Sequence, residues 1–390
     1  MIAVTAGVTP MVSLLSANAL APLLMMAAVA ILFVGPRLVI LGMGPKLIAA
    51  ALALLTGLGL ASAAWSIVPS ASIYKALQLI PLFAAAYVLV AAAFSLSPQS
   101  RDRVGRALAV GVLVALPFIA AEVIAGGVLH HLLSEEPLGS INGFLRYKRG
   151  VAVIALLLAP AAYWIWVRFG SIAAAAVVVG VLLSAAFVGS GTAMVALAVG
   201  LLWAFVSYLF PSFGRRGLTV AVVAAVLGAP LFGLGPTELS TVSGQQVGAY
   251  RVNSAMHRLL IWQFASERIA ERPLAGWGLA SSRAVPGGNE RPLGFPELLP
   301  LHPHNAALHV WLELGALGAL VGAFIVASTV LRIDRTFEPG AGQVLALSAA
   351  ATTIAVAFVG FGIWQSWWIG AIGLTAACTV AVLPSRSGSS

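Results

Sequence analysis

Residues 151–189 read VAVIALLLAPAAYWIWVRFGSIAAAAVVVGVLLSAAFVG, with Arg168 as the single charged side chain. The apolar run on either side of that arginine is about 17 residues long, enough for a helix to cross a hydrocarbon core of about 30 Å. Comparable runs recur from end to end of a chain that is 61% hydrophobic and 8% charged, with a mean hydropathy of +1.02. That composition lies far from soluble globular averages and indicates an all-α, polytopic membrane protein. Hydropathy places spans near 11–34, 47–64, 76–96, 107–129, 151–167, 172–189, 191–210, 218–235, 305–331, 344–361 and 364–383, roughly 11 helices in a single integral membrane domain over 1–390. Pro10, Asn18 and Pro22 allow the first stretch to form a short helix plus one span, which keeps a count of about 12 open.

The first ten residues, MIAVTAGVTP, carry no basic side chain. No A-x-A-like site precedes a soluble domain, so the N-terminus is expected to be retained. The net charge of +9 is assigned to the Lys and Arg excess of cytoplasmic loops rather than to nucleic-acid binding. The one cysteine, Cys378, falls in a predicted span, which leaves no disulfide framework and no Cys-based metal site.

Orientation follows from the short loops. Arg37, Lys46, Arg101, Arg103, Arg106, Arg168, Arg215, Arg216, Arg332, Arg335 and Arg386 fall on one side, against Lys75, Arg146, Lys148 and Arg149 on the other. The richer side is cytoplasmic by the positive-inside rule, which puts the long segment 236–302 and all six histidines at the outer face. The spans carry almost no ionisable groups apart from Glu122 and Glu313, both nearer the outer ends of their helices. No internal repeat or midplane charge relay supports a transporter.

Within the long outer loop, 251–272 reads as a helix. Arg251, His257, Arg258, Arg268 and Arg272 share one arc, and Val252, Met256, Leu259, Leu260 and Ala270 another. A helix of this kind can rest on anionic lipid headgroups. Pro273 stops it, and Gly276 and Gly278 permit a tight turn before Arg283.

The segment LHPHNAALHVWLELGALG, 301–318, crowds three histidines at the start of an apolar helix. A helix beginning near Pro303 would align His304, Leu308, Trp311, Gly315, Gly318 and Gly322 on one face, the glycines serving close helix packing. His309 and Glu313, at i, i+4, are expected to satisfy each other. His302 is expected to be solvated. For His304, a neutral imidazole at an outer helix end near a basic stripe, a general base is the preferred reading. Metal binding is the runner-up, although the three histidines lack the spacing of zinc-protease sites. No acidic motif suits magnesium or calcium, and no cofactor is expected.

His304, Asn305, nine residues, Gly315, two residues and Gly318 are similar to the H-[N/S/Q]-x9-G-x-x-G signature of the bacterial O-antigen ligase family. RLLIWQFASERIAERPLAGWGLASSR resembles the family's outer-loop pattern, an Arg and a Trp followed by a Pro and G-x-G. SAAWSIVPSASIYKAL, 62–77, resembles its WS-x-x-P-x-x-S segment. The resemblance implies a glycan transferase at the periplasmic face of the inner membrane. Its donor would be a glycan on undecaprenyl diphosphate, and its acceptor the lipid A core or, in polymerases of the same family, a growing glycan. It further implies metal-independent inversion, with the motif histidine as base and arginines holding the diphosphate. On this chain those are His304 and Arg258, then Arg149, with Arg146, Arg251 and Arg283 as further diphosphate contacts. Asn305 would orient His304 or a donor oxygen, and Trp262, Gly315 and Gly318 would support the site. GSGTAM, 189–194, departs from the pattern where many relatives carry an arginine after the serine. The stop at LPSRSGSS argues against O-linked protein glycosylases, which usually carry a further soluble region. A polyprenyl-linked glycan transporter is the rival of another class; it would place its polar groups near the midplane.

Overall fold

A computed structural model describes residues 1–34, 44–134, 141–233, 254–291 and 297–386. Among the described residues the secondary structure is helical, with one isolated bridge between Phe337 and Ser385. The helices are α1 (Ile2–Leu15), α2 (Leu20–Val34), α3 (Lys46–Ala61), α4 (Pro69–Phe94), α5 (Pro98–Ile124), α6 (Val128–Ser134), α7 (Ile141–Phe187), α8 (Gly191–Leu209), α9 (Pro211–Leu227), α10 (Ser254–Glu271), α11 (Ala306–Thr336), α12 (Ala341–Val359) and α13 (Ser366–Val382). Eight of the described helical stretches are long and apolar enough to cross a membrane, and Ile2–Leu15 and Ser366–Val382 are shorter apolar helices.

The difference from the roughly 11 spans read from hydropathy has identifiable sources. The first apolar stretch divides at Ser16, whose extended backbone (φ −159°, ψ 100°) separates α1 from α2. The runs flanking Arg168 form one element with a break at Gly170 (φ 86°, ψ 178°). Ser190 Oγ donates to the Lys148 carbonyl at 3.3 Å, so the chain doubles back and the halves of α7 run antiparallel. The predicted span 218–235 contributes only to Leu227, where α9 ends.

Helix pairing uses small residues where backbones meet, the usual solution where lipid is as apolar as the side chains. The α1–α5 pair is an example: a Cβ added at Gly111 would lie 2.2 Å from the Gly7 carbonyl oxygen. Buried hydroxyls in α1 are satisfied locally, Thr9 by the Thr5 carbonyl at 2.6 Å and Ser13 by the Pro10 carbonyl at 2.7 Å.

Charge separates the two ends of the bundle. At one end Arg168 pairs with Asp102 at 2.7 Å, Arg215 pairs with Asp334, and Arg101 caps the Val380 carbonyl at 2.9 Å. At the other end lie His302, His304, His309 and Glu313.

The chain's least regular feature joins α11 to the segment that follows α10. Gly315 breaks α11 with φ 62° and ψ −158°, a conformation essentially confined to glycine. Residues 273–278 fill the break. The Trp277 and Gly278 amides donate to the Leu312 and Glu313 carbonyls at 2.9 and 2.8 Å, and the Ala316 and Leu317 amides donate to the Pro273 and Leu274 carbonyls at 2.8 and 3.3 Å. The Leu312 and Glu313 carbonyls and the Ala316 and Leu317 amides, which a continuous helix would pair with each other, are paired instead with an inserted loop. Two glycines make the contact possible. A Cβ at Gly315 would lie 2.4 Å from the Leu274 carbonyl, and one at Gly276 (φ 67°) would lie 2.5 Å from the Glu313 carbonyl carbon.

Two sequence-based expectations are corrected here. Helix α11 starts at Ala306 rather than near Pro303, so His304 precedes the helix and the single-face alignment from His304 through the glycines does not exist. Gly322 meets nothing within 4 Å, and a Cβ at Gly318 would strike Leu314 of its own helix, displaced by the break. These glycines do not form a helix-packing pair.

Gly315→Ala is therefore expected to lower stability by at least ~2 kcal/mol, from backbone strain and the clash with Leu274. Gly322→Ala is expected to be neutral or slightly stabilising. Thermal unfolding in detergent checks both, and equal losses at the two positions would contradict the inserted-loop description.

Candidate active site

Two separated stretches grip the loop 275–282. From the stretch that runs from the end of α3 into the first turn of α4, Trp65 Nε1 donates to the Ala275 carbonyl at 3.0 Å, Ser62 Oγ accepts from the Leu279 amide at 2.9 Å, and Ser72 Oγ donates to the Leu279 carbonyl at 2.7 Å. From α11, Glu313 accepts from the Ala280 and Ser282 amides. The W-S-x-x-P-x-x-S segment thus acts as a clamp on this loop.

Helix α10 packs differently from its sequence reading. Its buried face is Leu260, Ile261, Phe264, Ala265 and Ile269, while Leu259 is 42% exposed. The 1-4-5 spacing of Ile261, Phe264 and Ala265 seats the helix on the protein core rather than on lipid headgroups. Two cations of the proposed basic stripe are occupied: Arg268 pairs with Glu271 at 2.8 Å and Arg272 lies 4.1 Å from the Trp277 ring centroid. Arg251 of that stripe lies outside the described residues. Arg258 has no hydrogen-bond or ion-pair partner among the described residues, and burial lowers its pKa.

The α10 end also positions the histidine segment. Trp262 Nε1 donates to the Pro303 carbonyl at 2.9 Å, and His257 Nε2 meets the Glu297 carbonyl oxygen at 3.0 Å. Asn305 is the N-cap of α11, its Oδ1 accepting from Ala307 and Leu308 at 2.9 and 3.1 Å. That side-chain oxygen is spent on the cap, so Asn305 fixes His304 through the chain rather than by a side-chain contact.

His304 adopts φ 55°, a left-handed conformation that few non-glycine residues take. Two bonds hold it there. Its amide donates to His302 Nδ1 at 3.1 Å, and its own Nδ1 lies 2.7 Å from the Gly360 carbonyl in the loop between α12 and α13. A carbonyl only accepts, so Nδ1 carries the proton and Nε2 keeps the lone pair. Burial lowers the His304 pKa below its ordinary 6.5, opposed by the Gly360 bond and assisted by the nearby Arg258 charge. The imidazole is neutral at physiological pH.

His302 is buried rather than solvated, which corrects the expectation from its Pro-flanked position. Burial, then the neighbouring His309, His304, Arg283 and Arg149, push its pKa down to about 2. It stacks on His309 with ring centroids 5.7 Å apart and serves as a structural acceptor for the His304 amide.

His309 and Glu313 do pair, at 3.1 Å, but not as an isolated couple. His309 Nδ1 accepts from the Ile363 amide at 3.3 Å, and Glu313 also accepts from Trp364 Nε1 at 2.8 Å. Among the described residues, no group of three or more His, Cys, Asp or Glu side chains is arranged to hold a metal ion.

Of the five arginines implied for diphosphate contact, three surround His302 and His304. Arg283 and Arg149 act electrostatically on His302, and Arg258 acts on His304. Arg149 stands 5.7 Å from the Trp367 ring centroid, and Trp367 Nε1 donates to Gln365 Oε1 at 3.0 Å, which ties the arginine to the 360–365 loop. The Arg146 side chain lies outside the described residues. Lys75, which the sequence reading used only for orientation, also lies within electrostatic reach of Glu313 and Arg283. The result is a neutral imidazole with an available lone pair, within electrostatic reach of guanidinium groups that have no carboxylate partner among the described residues.

A family profile described as O-antigen ligase matches residues 187–323. Curated relatives include proteins named "putative polysaccharide ligase" from Rickettsia conorii (33% identical over 120 residues), Rickettsia prowazekii (34% over 120) and Rickettsia felis (32% over 120). Each alignment covers 30% of this chain and 29% of the relative. The matched region contains Arg258, Arg283, His304, Glu313 and Gly315. The groups that orient them, Trp65, Ser72, Arg149, Gly360 and Trp364, come from outside it.

Histidine-selective nitrogen NMR in detergent is expected to show His302 neutral throughout the accessible range and His304 titrating below 6.5 with the proton on Nδ1. Titration of either ring at or above its ordinary value would contradict the site as described.

Proposed function

We propose that this chain is a glycosyltransferase of the inner membrane that works at its periplasmic face. It moves a glycan from undecaprenyl diphosphate to the lipid A core. The observation that carries the reading is His304: a neutral imidazole whose Nδ1 is engaged by Gly360, which leaves Nε2 its lone pair, within electrostatic reach of Arg258, a cation with no ion-pair partner among the described residues. The names of the Rickettsia relatives support a polysaccharide ligase, and the division of charge between the bundle ends supports an outward-facing site.

The chemistry follows from those groups. His304 Nε2 takes the proton of the acceptor hydroxyl, and the freed oxygen attacks the anomeric carbon of the donor sugar on the face opposite the diphosphate. As the new carbon–oxygen bond forms, the bond from that carbon to the phosphate oxygen breaks and its electron pair leaves with undecaprenyl diphosphate. The configuration inverts. Arg258, Arg149 and Arg283 stabilise the charge that gathers on the leaving group, and guanidinium suits a phosphate because it donates two parallel hydrogen bonds.

The test is reconstitution of the full chain in liposomes with an undecaprenyl-diphosphate glycan and lipid A core. Wild type is expected to form the core-linked product. His304→Ala is expected to reduce kcat by roughly 10²–10⁴-fold. Arg258→Lys is expected to retain part of the activity that Arg258→Ala loses, since lysine keeps the charge but not the fork. Activity is expected to survive a chelator. No transfer to any acceptor would contradict the proposal, and chains lengthening on the polyprenyl carrier would identify a polymerase.

A further inference from the structure

We propose that Glu313 is a positioning residue that locks the arm bearing Arg283 to the loop that holds His304, so that phosphate contact and base stay in register. The inference rests on the reading above, in which Arg283 contacts the donor diphosphate and His304 takes the acceptor proton. Glu313 is 1% exposed and stands two residues before the break at Gly315. Its Oε1 accepts from Ser282 Oγ at 2.5 Å, the Ser282 amide at 3.0 Å and His309 Nε2 at 3.1 Å. Its Oε2 accepts from the Ala280 amide at 2.6 Å and Trp364 Nε1 at 2.8 Å.

A local pair with His309 needs one of these bonds; the other four bind two separate loops. Three come from 280–282, immediately before Arg283, and hold Ala280 at φ 61°, where alanine is strained. The fourth comes from Trp364, in the loop whose Gly360 carbonyl fixes the His304 tautomer. A buried carboxylate is tolerated only when its lone pairs are filled, and here filling them requires both loops in place. An amide cannot replace it. A glutamine at this position would turn its NH2 group either on the Ala280 amide and Trp364 Nε1 or on Ser282 and His309, so in both orientations a donor would face donors of the 280–282 arm and loosen it.

The experiment measures donor binding and transfer on the same nanodisc preparations of the full chain, with an undecaprenyl-diphosphate glycan as probe. Glu313→Gln is expected to weaken donor binding roughly tenfold and to leave the acceptor KM unchanged. Adding Arg283→Ala to Glu313→Gln is expected to cost less than Arg283→Ala costs in wild type, because the arm has already lost its placement. Additive losses, or unchanged donor binding with only a lower melting temperature, would overturn the proposal. Should Glu313→Gln fail to fold, Ser282→Ala removes part of the same network and is expected to show a smaller loss with the same non-additivity. A wild type that binds donor but transfers to no acceptor would defeat the proposed function, while the binding comparison would still decide the case for Glu313. A wild type that does not bind the donor overturns both.

Discussion

The hydrogen-bond exchange at Gly315 is the constraint on which the other features depend. Breaking a membrane helix leaves carbonyls and amides with no water to satisfy them, at a cost of several kcal/mol per group. The chain meets that demand with the backbone of 273–278, and the demand fixes the loop. Once Trp277 and Gly278 are tied to Leu312 and Glu313, residues 280–282 lie against the Glu313 carboxylate and Arg283 is delivered to the histidines. The W-S-x-x-P-x-x-S segment then closes over the loop from the other side, through Trp65, Ser62 and Ser72. Motifs more than 200 residues apart in the sequence meet because one backbone repair requires them to.

Neutrality of the histidines follows from the same arrangement. Packing the 301–305 segment between α10, α11 and the 360–365 loop buries His302 and half-buries His304. The surrounding arginines add to the penalty on a second positive charge. The proposed transfer needs an unprotonated base and cations near an anionic leaving group, and guanidinium groups near an imidazole too buried to take up a proton readily are consistent with both.

The membrane class, the separation of charge between the bundle ends and the residues gathered at the histidine end were legible in the sequence. Apolar run length and charge placement are read directly from residue order. His304, Arg258, Arg149 and Arg283 were named from the sequence, and the structure brings them together around the histidines. What stayed hidden has a common cause: it is set by backbone conformation. Gly315 and Gly318 look like helix-packing glycines by spacing, yet Gly315 is a φ 62° break, and the face arithmetic that aligned His304 with Gly322 fails across it. Asn305 looked like a partner for His304 and is a helix cap. Glu313 looked like one half of an i, i+4 pair because its four other donors come from loops at 280–282 and 364. The burial of Ile261, Phe264 and Ile269 was legible in principle from their spacing, but the basic residues on α10 drew the reading toward the lipid surface.

The central claim is that His304 acts as a neutral base with a depressed pKa. The pH dependence of kcat/KM for glycan transfer tests it most directly. A base loses activity as pH falls through its pKa, so burial of His304 predicts an acidic limb below 6.5, with the rate flat above it until another group titrates. An acidic limb at or above 6.5, or a wild-type limb that persists unchanged in the residual activity of His304→Ala, would contradict the account.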